Sequence, residues 1–282
     1  MLHDFFEYGF MVRGAVAVLL SSICAGIAGS YIVSRRIVFL SGGITHASFG
    51  GIGLGHWAGF NPVAGAALFG VASGLAAGYL SGKRKMSEDS AIGIIWAFGM
   101  AAGIILIHMT PGYAPNLMSY LFGSILTVTR GDLIALAVMA LLLVLYFSLF
   151  YRALVYMAFD EEYARTWSSS VDIFRYISIA LISLTVVLNI RVAGVILVLS
   201  LFTIPPNVVM LFTNDYKRIV PASVAVSFTS VAAGYTLSFY LGIPTGATII
   251  ITLVVIYLVC RLIRAIINRL GERSVLSLNS KK

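Results

Sequence analysis

The stretch from Ile37 to Phe60 contains no Asp, Glu, Lys or Arg, and it is long enough to cross a bilayer. His46 lies within this stretch, among glycines. An ionisable side chain at membrane depth costs roughly a few kcal/mol unless it faces protein or water. Gly51 and Gly55 have the GxxxG spacing that lets another helix come close. We therefore predict that His46 lines an interior path or a helix contact, where its imidazole is a candidate ligand for a transition metal ion.

Composition places the whole chain in a membrane. Of its 282 residues 60% are hydrophobic and 11% charged, with a mean hydropathy of +0.98, whereas a soluble domain carries about 25% charged residues. We predict one transmembrane domain over residues 1–262 and a basic cytoplasmic tail over residues 263–282. The motif GxxxxGK[ST] of ATP-binding proteins is absent, so energy would have to come from another subunit or from an ion gradient.

Hydropathy predicts an all-α polytopic fold with eight or nine transmembrane helices; eight is the alternative because only Ser34, Arg35 and Arg36 separate the first two spans. Basic loops alternate with weakly charged ones, which predicts an outer N-terminus and a cytoplasmic C-terminus. The same pattern accounts for the net charge of +8 and gives no reason to expect nucleic acid. The predicted spans are Phe10–Val33, Ile37–Phe60, the segment from Pro62 to Ser81, Ala91–Met109, Leu133–Phe150, Phe174–Leu188, Val192–Phe212, Val220–Leu241 and Thr245–Leu262.

The loop after the fifth span is the one sizeable hydrophilic segment between predicted helices. We predict a short helix there, capped by Asp160 and with Glu161 and Glu162 at its favoured acidic end. Tyr163 and Trp167 are four residues apart and would share a face. This helix would either dock into a groove of a partner protein or serve as a solvated connector.

Prolines punctuate two apolar segments. Pro205 and Pro206 follow a run of branched residues and predict a helix break near the inner end of the seventh span, either at a gate or simply where the span ends. Residues 116–124 follow two prolines and predict a partial helix folded back on the outer side.

Two further histidines are weaker candidates for a metal path. His56 lies beside Trp57 at the outer end of the second span, and His108 at the outer end of the fourth. Both positions also suit interfacial side chains with no ligand role. Asp132, at the start of the fifth span, is predicted to pair locally with Arg130 or to contact an outer partner.

Several short motifs occur together in a characteristic order. They are Arg35-Arg36 with Gly43-Ile44-Thr45-His46-Ala47, Leu117–Ser124 with Leu126-Thr127-Val128 and Asp132-Leu133, Asp160–Arg165, Val192–Val198 with Ile204-Pro205, and Pro244-Thr245-Gly246-Ala247. In these motifs the chain resembles the integral-membrane permease subunit of ABC transporters that import zinc, manganese or iron. The resemblance covers the chain from Gly9 to Leu262.

This resemblance implies an assembly. A second permease copy, cytoplasmic ATPase subunits and an extracytoplasmic metal-binding protein would act together in a bacterial cytoplasmic membrane. ATP would be hydrolysed on the partner, so this chain would not be an enzyme, and it would hold no permanent cofactor. The transported ion would be a divalent metal, with zinc placed before manganese or iron. The segment Asp160, Glu161, Glu162, Tyr163, Ala164 and Arg165 would be the coupling helix that contacts the ATPase.

The chain departs from the family pattern at two positions. The family carries an aspartate four residues before the histidine that matches His46, and Gly42 stands there instead. Its coupling helix ends in glycine, where this chain has Ser168. The missing carboxylate leaves open an importer of a metal chelate in the same type of machine. An ion-gradient transporter is a further alternative, whereas an intramembrane metalloprotease would need an HExxH motif, which is absent.

Overall fold

The computed structural model describes residues 9–82, 86–111, 123, 128–167 and 170–279. The predicted partial helix at 116–124 lies outside these residues except for Gly123, and so does Ser168. Throughout the described part, regular secondary structure is helical, as predicted. The helices are α1 (Gly9–Ser34), α2 (Val38–Ala58), α3 (Pro62–Gly82), α4 (Glu88–Met109), α5 (Arg130–Leu149), α6 (Tyr151–Phe159), α7 (Glu161–Trp167), α8 (Val171–Ala193), α9 (Val195–Met210), α10 (Tyr216–Leu241) and α11 (Thr245–Asn279).

Each of the nine predicted spans corresponds to one helix, namely α1–α5 and α8–α11. Seven of these are long and apolar enough to cross a membrane, and α9 is a shorter apolar helix of 16 residues. The 21-residue α2 is not among the seven. It needs less apolar surface because most of its side chains are buried against other helices. The chain is therefore a multi-pass membrane protein.

A tight turn separates α1 from α2, so the described residues form two helices where the first two spans were predicted. Arg36 takes a left-handed conformation with φ of 60°, and the Ile37 N–H donates to the Ile32 carbonyl at 3.0 Å. This 6→1 hydrogen bond is the one that ends a helix in a Schellman motif. The chain therefore reverses within three residues.

Glycines bring α2 into backbone contact with both of its neighbours. A methyl group on Gly51 would overlap the Gly65 carbonyl of α3, and one on Gly53 would overlap Gly103 of α4. The predicted close approach of another helix to this face is confirmed. Because no side chain separates the backbones, α2, α3 and α4 form one tightly packed unit.

The helices form two groups. In the first, α1 packs against α5, α9 and α10, and α11 packs against α9 and α10. In the second, α2 packs against α3 and α4, and α8 packs against α3. Direct packing of α1 on α2 is slight. We refer to the boundary between the two groups as the seam.

The prediction of a helix break at Pro205 and Pro206 is wrong, because the helical backbone continues through both prolines. Both prolines lie inside α9, which continues to Met210. Proline at 206 removes the donor that would bond the Phe202 carbonyl and pushes that carbonyl aside. Gly29 of α1 has no side chain and accommodates the Phe202 carbonyl, so the helix continues.

The backbone changes direction at Gly194 instead, where φ is 80° and ψ is 162°. The sequence predicted a loop over residues 189–191. Asn189 is fully buried but donates its side-chain amide to the Thr185 carbonyl at 2.8 Å, within α8. A local acceptor therefore lets the polar residue stay in the helix, and the reversal falls on the glycine.

The α11 helix is continuous across residue 262, where the tail was predicted to begin, and its membrane-length part is Thr245–Leu270. The division into residues 1–262 and 263–282 stays a prediction.

Two loop clusters define the ends of the bundle. Tyr151 and Tyr216 meet at 6.2 Å between ring centroids, at the end that also holds Arg35 and α7, which we call the basic end.

Gly51→Val tests the packing of α2. The added side chain must displace the Gly65 backbone, so the free energy of unfolding should fall by about 1–3 kcal/mol. Thermal unfolding in detergent, followed by tryptophan fluorescence, measures the change. Gly42→Ala is the matched control on the same helix, because its Cβ would meet only the Leu199 Cδ1 at 3.7 Å. Equal melting temperatures for the two variants would contradict the packing described here.

Candidate functional site

The short helix α7 begins as predicted. The Tyr163 N–H donates to the Asp160 Oδ1 at 2.9 Å, which satisfies one of the unpaired donors of the first turn. Glu161 and Glu162 occupy that turn. Ala164 is buried with Met157 and Val171, so this side of α7 packs against α6 and α8.

Glu161 faces the protein and joins three arginines. Its carboxylate accepts hydrogen bonds from Arg35 and from Arg165, the latter at 2.9 Å. Arg175 lies 3.5 Å away, and the side chains of Arg35 and Arg175 are each only 9% exposed. Two of the three partners lie on membrane helices or their ends, so Glu161 fastens α7 to the bundle.

The arginines extend this network into the two helix groups. Arg35 also donates to the Tyr31 hydroxyl of α1 at 3.3 Å. Arg175, in the first turns of α8, donates to the Gly78 carbonyl of α3. The network therefore connects α7 with α1 on one side of the seam and with α8 and α3 on the other.

The electrostatics keep this carboxylate charged at neutral pH. Burial raises the pKa of the Glu161 carboxyl, but the charges and hydrogen bonds of Arg35, Arg165 and Arg175 outweigh it, and the net pKa lies below its ordinary value. A carboxylate with a lowered pKa contributes its stability above its ordinary pKa and loses it only as the pH falls through the lowered value. The network is therefore intact at every physiological pH.

The opposite side of α7 is exposed. Tyr163 is 54% exposed, and its ring meets Tyr156 edge-on at 5.6 Å between centroids. Glu162 and Thr166 are exposed as well. The described part of α7 thus presents a carboxylate, an aromatic ring and a hydroxyl away from the bundle.

A cleft lies beside the network, at the seam. Its volume is about 20 Å³, enough for about one water molecule, and it is lined on the side of α1 by Arg35 and on the other side by residues such as Leu40, Ala77, Ile92 and Arg175. A small packing gap therefore lies next to Glu161.

His46 stacks on a tryptophan. Its ring lies parallel to that of Trp96 of α4, with centroids 4.2 Å apart and an angle of 6°. The hydroxyls of Thr45 and Ser48 donate to carbonyls of their own helix, Ser41 and Ile44. The His46 Nδ1 is buried without a hydrogen bond among the described residues. The described contacts therefore include no hydrogen bond between the His46 Nδ1 and either hydroxyl.

The other histidines are separate. His56 lies near the C-terminus of α2, with its Nε2 buried and unpaired among the described residues, and His108 is exposed at the C-terminus of α4. In the described part of the chain, no three His, Cys, Asp or Glu side chains come close enough to hold a metal ion. Within these residues His46 thus belongs to no such cluster, and Gly42 one turn away contributes no side chain.

At the end opposite α7, Asp132 pairs with Arg191 of α8 at 3.4 Å, not with the predicted neighbour Arg130. It also accepts hydrogen bonds from the backbone N–H and the hydroxyl of Thr129, while its own N–H donates to that hydroxyl. This reciprocal capping box fixes the start of α5.

The sequence matches a known family over nearly its whole length. Residues 7–264 match the ABC 3 transport family, and the chain belongs to that family. The predicted resemblance is confirmed.

Two relatives and one solved structure show what the chain is similar to. It is 34% identical over 255 residues to a probable metal transport system membrane protein of Chlamydia pneumoniae, covering 88% of this chain and 87% of the relative. It is 27% identical over 258 residues to the manganese transport system membrane protein MntC of Listeria innocua, covering 92% of both. The structure of PsaBC from Streptococcus pneumoniae in complex with Fab superposes with a TM-score of 0.80 at 25% identity, covering 92% of this chain and 95% of that one.

Sequence reasoning placed α7 and its cap but missed Arg35 and Arg175. Arg35 lies among loop residues that the positive-inside rule explains, and its partner Glu161 is 126 residues away. The position of Arg175 could have been recognised, because it falls inside a predicted apolar span, where an arginine needs an acidic partner.

Asp132→Ala tests the capping box and its link to α8. It removes the carboxylate half of the capping box and the ion pair, and the free energy of unfolding should fall by about 1 kcal/mol. Asp132→Asn keeps a capping oxygen and loses only the charge, so the loss should be smaller, because exposed ion pairs contribute little. Chemical denaturation in detergent measures both. Equal losses for the two variants would show that the Arg191 pair, and not the capping oxygen, dominates.

Proposed function

We propose that this chain is the permease subunit of an ATP-driven importer of divalent transition metal ions in a bacterial cytoplasmic membrane. The observation that carries the proposal is α7, a short helix fixed to the bundle by Glu161 with its other side exposed. This chain has no nucleotide-binding motif of its own, so a separate ATPase would have to bind it, and an exposed helix fixed to the bundle provides a docking surface. Membership in an ABC transport family supports the same reading.

In the proposed cycle, an extracytoplasmic protein delivers the ion and two copies of this chain form the path between them. ATP binding on the partner subunits would move α7, and the helix groups would change their relative position to alternate access. The chain itself would make or break no covalent bond. Asp160 and Arg165 would shape α7, while Glu162, Tyr163 and the exposed backbone around them would contact the ATPase.

His46 is the proposed ligand in the path. A neutral imidazole binds zinc, manganese and ferrous iron alike, so it does not select among them. Because one copy supplies one imidazole, we propose that His46 from two copies faces the ion across a two-fold axis. Such a site binds weakly, which suits transit. The manganese system of Listeria innocua is the named relative that favours manganese, and His56 and His108 remain weaker candidates along the entry.

A metal chelate is the second candidate cargo. The absence of a carboxylate at Gly42 and the stacking of His46 on Trp96 both reduce the inner-sphere ligands available to a bare ion. A chelate would bring its own ligands and would use the aromatic pair only for contact.

Metal accumulation tests the cargo. A strain lacking this chain should show a deficit in one metal when zinc, manganese and iron are each made limiting, as measured by elemental mass spectrometry. Complementation with the His46→Ala variant should restore less than about a tenth of the uptake, since loss of a ligand of this kind costs tenfold or more. His46→Phe is the matched control: it keeps an aromatic ring over Trp96 and removes the nitrogens.

The outcomes separate the candidates. If both variants fail, the nitrogen is required and the cargo is a bare ion. If His46→Phe restores uptake while His46→Ala does not, the ring acts only by packing. Gly42→Asp adds a carboxylate where the only nearby atom is the Leu199 Cδ1, and it should alter the metal profile for an ion but not for a chelate. Uptake of every metal by the deletion strain would contradict the proposed function.

Tyr163→Ala tests the docking of the ATPase. The exposed ring is a typical interface anchor, so its removal together with Glu162→Lys should reduce co-purification of the ATPase by about 30-fold, the loss expected at a binding hot spot. Tyr163→Phe retains the ring and should behave as wild type. Unchanged co-purification of the double variant, in protein with a native melting temperature, would remove the support for docking through this face.

A further inference from the structure

Glu161 lies where the two helix groups meet at the basic end, beside direct contacts such as that of the Tyr146 hydroxyl of α5 with Ser178 of α8 at 2.9 Å. Arg35 stands at the end of α1, in the first group, and Arg175 stands in α8, in the second. Both reach the same carboxylate, and the side chain of Glu161 is itself only 23% exposed. The described residues thus place one acidic group of α7 across the seam.

The bonds that reach this carboxylate are strong and directional. Guanidinium–carboxylate hydrogen bonds are charge-assisted and about twice as strong as neutral ones. Breaking a buried pair by removing one partner leaves an uncompensated charge and is strongly unfavourable. In contrast, the second link of Arg165, to Asp172, lies on the exposed side, where the Asp172 side chain is 56% exposed.

A small gap of about 20 Å³ lies beside the network, between Arg35 and residues of α2, α3 and α4. Arg175 holds the Gly78 carbonyl, so α3 follows α8, and α2 and α4 are packed on α3. A displacement of α7 would therefore act on both groups through one cluster of charged side chains.

We propose that Glu161 is the positioning residue that transmits displacement of α7 to both helix groups, with Arg35 and Arg175 as its two connections. Neutralising it uncouples ATP hydrolysis on the partner from ion movement. This inference rests on the proposed function. It assigns to Glu161 a role inside the permease, distinct from contact with the ATPase, because its carboxylate faces away from the exposed side of α7.

The test uses the full permease co-expressed with its ATPase subunits, reconstituted in liposomes with the metal-binding protein. Uptake of radioactive Mn²⁺, Zn²⁺ and Fe²⁺, each assayed alone, is divided by ATP hydrolysis in the same vesicles. Glu161→Gln should retain the ATPase subunits and hydrolyse ATP, while ions moved per ATP fall by about 5- to 100-fold, the usual range of coupling between two sites. Asp215→Asn is the control: it neutralises an exposed ion pair at the same end, and asparagine caps α10 equally well.

A double-variant cycle distinguishes transmission from general destabilisation. Arg35→Gln and Glu161→Gln act through the same bond, so the double variant should lose no more coupling than the worse single variant. Multiplied losses would overturn the proposal, and so would a wild-type coupling ratio in Glu161→Gln. A wild-type complex that hydrolyses ATP but moves none of the three ions would instead refute the proposed cargo, and this inference would fall with it.

Discussion

Backbone-to-backbone contact at the glycines of α2 is the constraint on which the arrangement of this protein depends. In hydrocarbon, apolar side chains gain little by meeting one another, so helices associate through close packing. Gly51 and Gly53 allow α3 and α4 to approach without an intervening side chain. That packing buries most of α2 and holds His46 against Trp96. The other group of helices is built around α1, and the Glu161 network crosses the boundary between the two groups at the basic end.

A helix that transmits the movement of a soluble subunit to a membrane protein has to be held rigidly against that membrane protein. A helix of seven residues has little stability of its own, and α7 gains its position from a cap at Asp160, buried contacts of Ala164 and the ion pairs of Glu161. These three attachments leave Tyr163 exposed. The helix is thus held firmly on one side and accessible on the other, and the two properties come from different residues.

The sequence was sufficient to predict the helices, because each apolar stretch had the length of a bilayer span and backbone groups in lipid must be satisfied internally. It also predicted the cap at Asp160 and the close-packed glycines. It failed where a local partner changes the outcome: the Thr185 carbonyl keeps Asn189 helical, and Gly29 makes room for the Phe202 carbonyl so that α9 continues through its prolines. Arg35 and Arg175 reach Glu161, and Arg191 reaches Asp132, from other parts of the chain, and no spacing rule reveals these pairs.

The hydrogen bond from Arg175 to the Gly78 carbonyl has a consequence for genetics. The acceptor is main chain, so a substitution at position 78 removes no acceptor group and disturbs α8 only through the overlap of its Cβ with the Ile179 Cδ1. A scan of side chains along α3 would therefore report no polar contact with α8, although α3 is tied to it. Only substitution of the donor, Arg175, would break this hydrogen bond. A map of functional residues made by substitution would therefore assign the contact to α8 alone, although α3 supplies the acceptor.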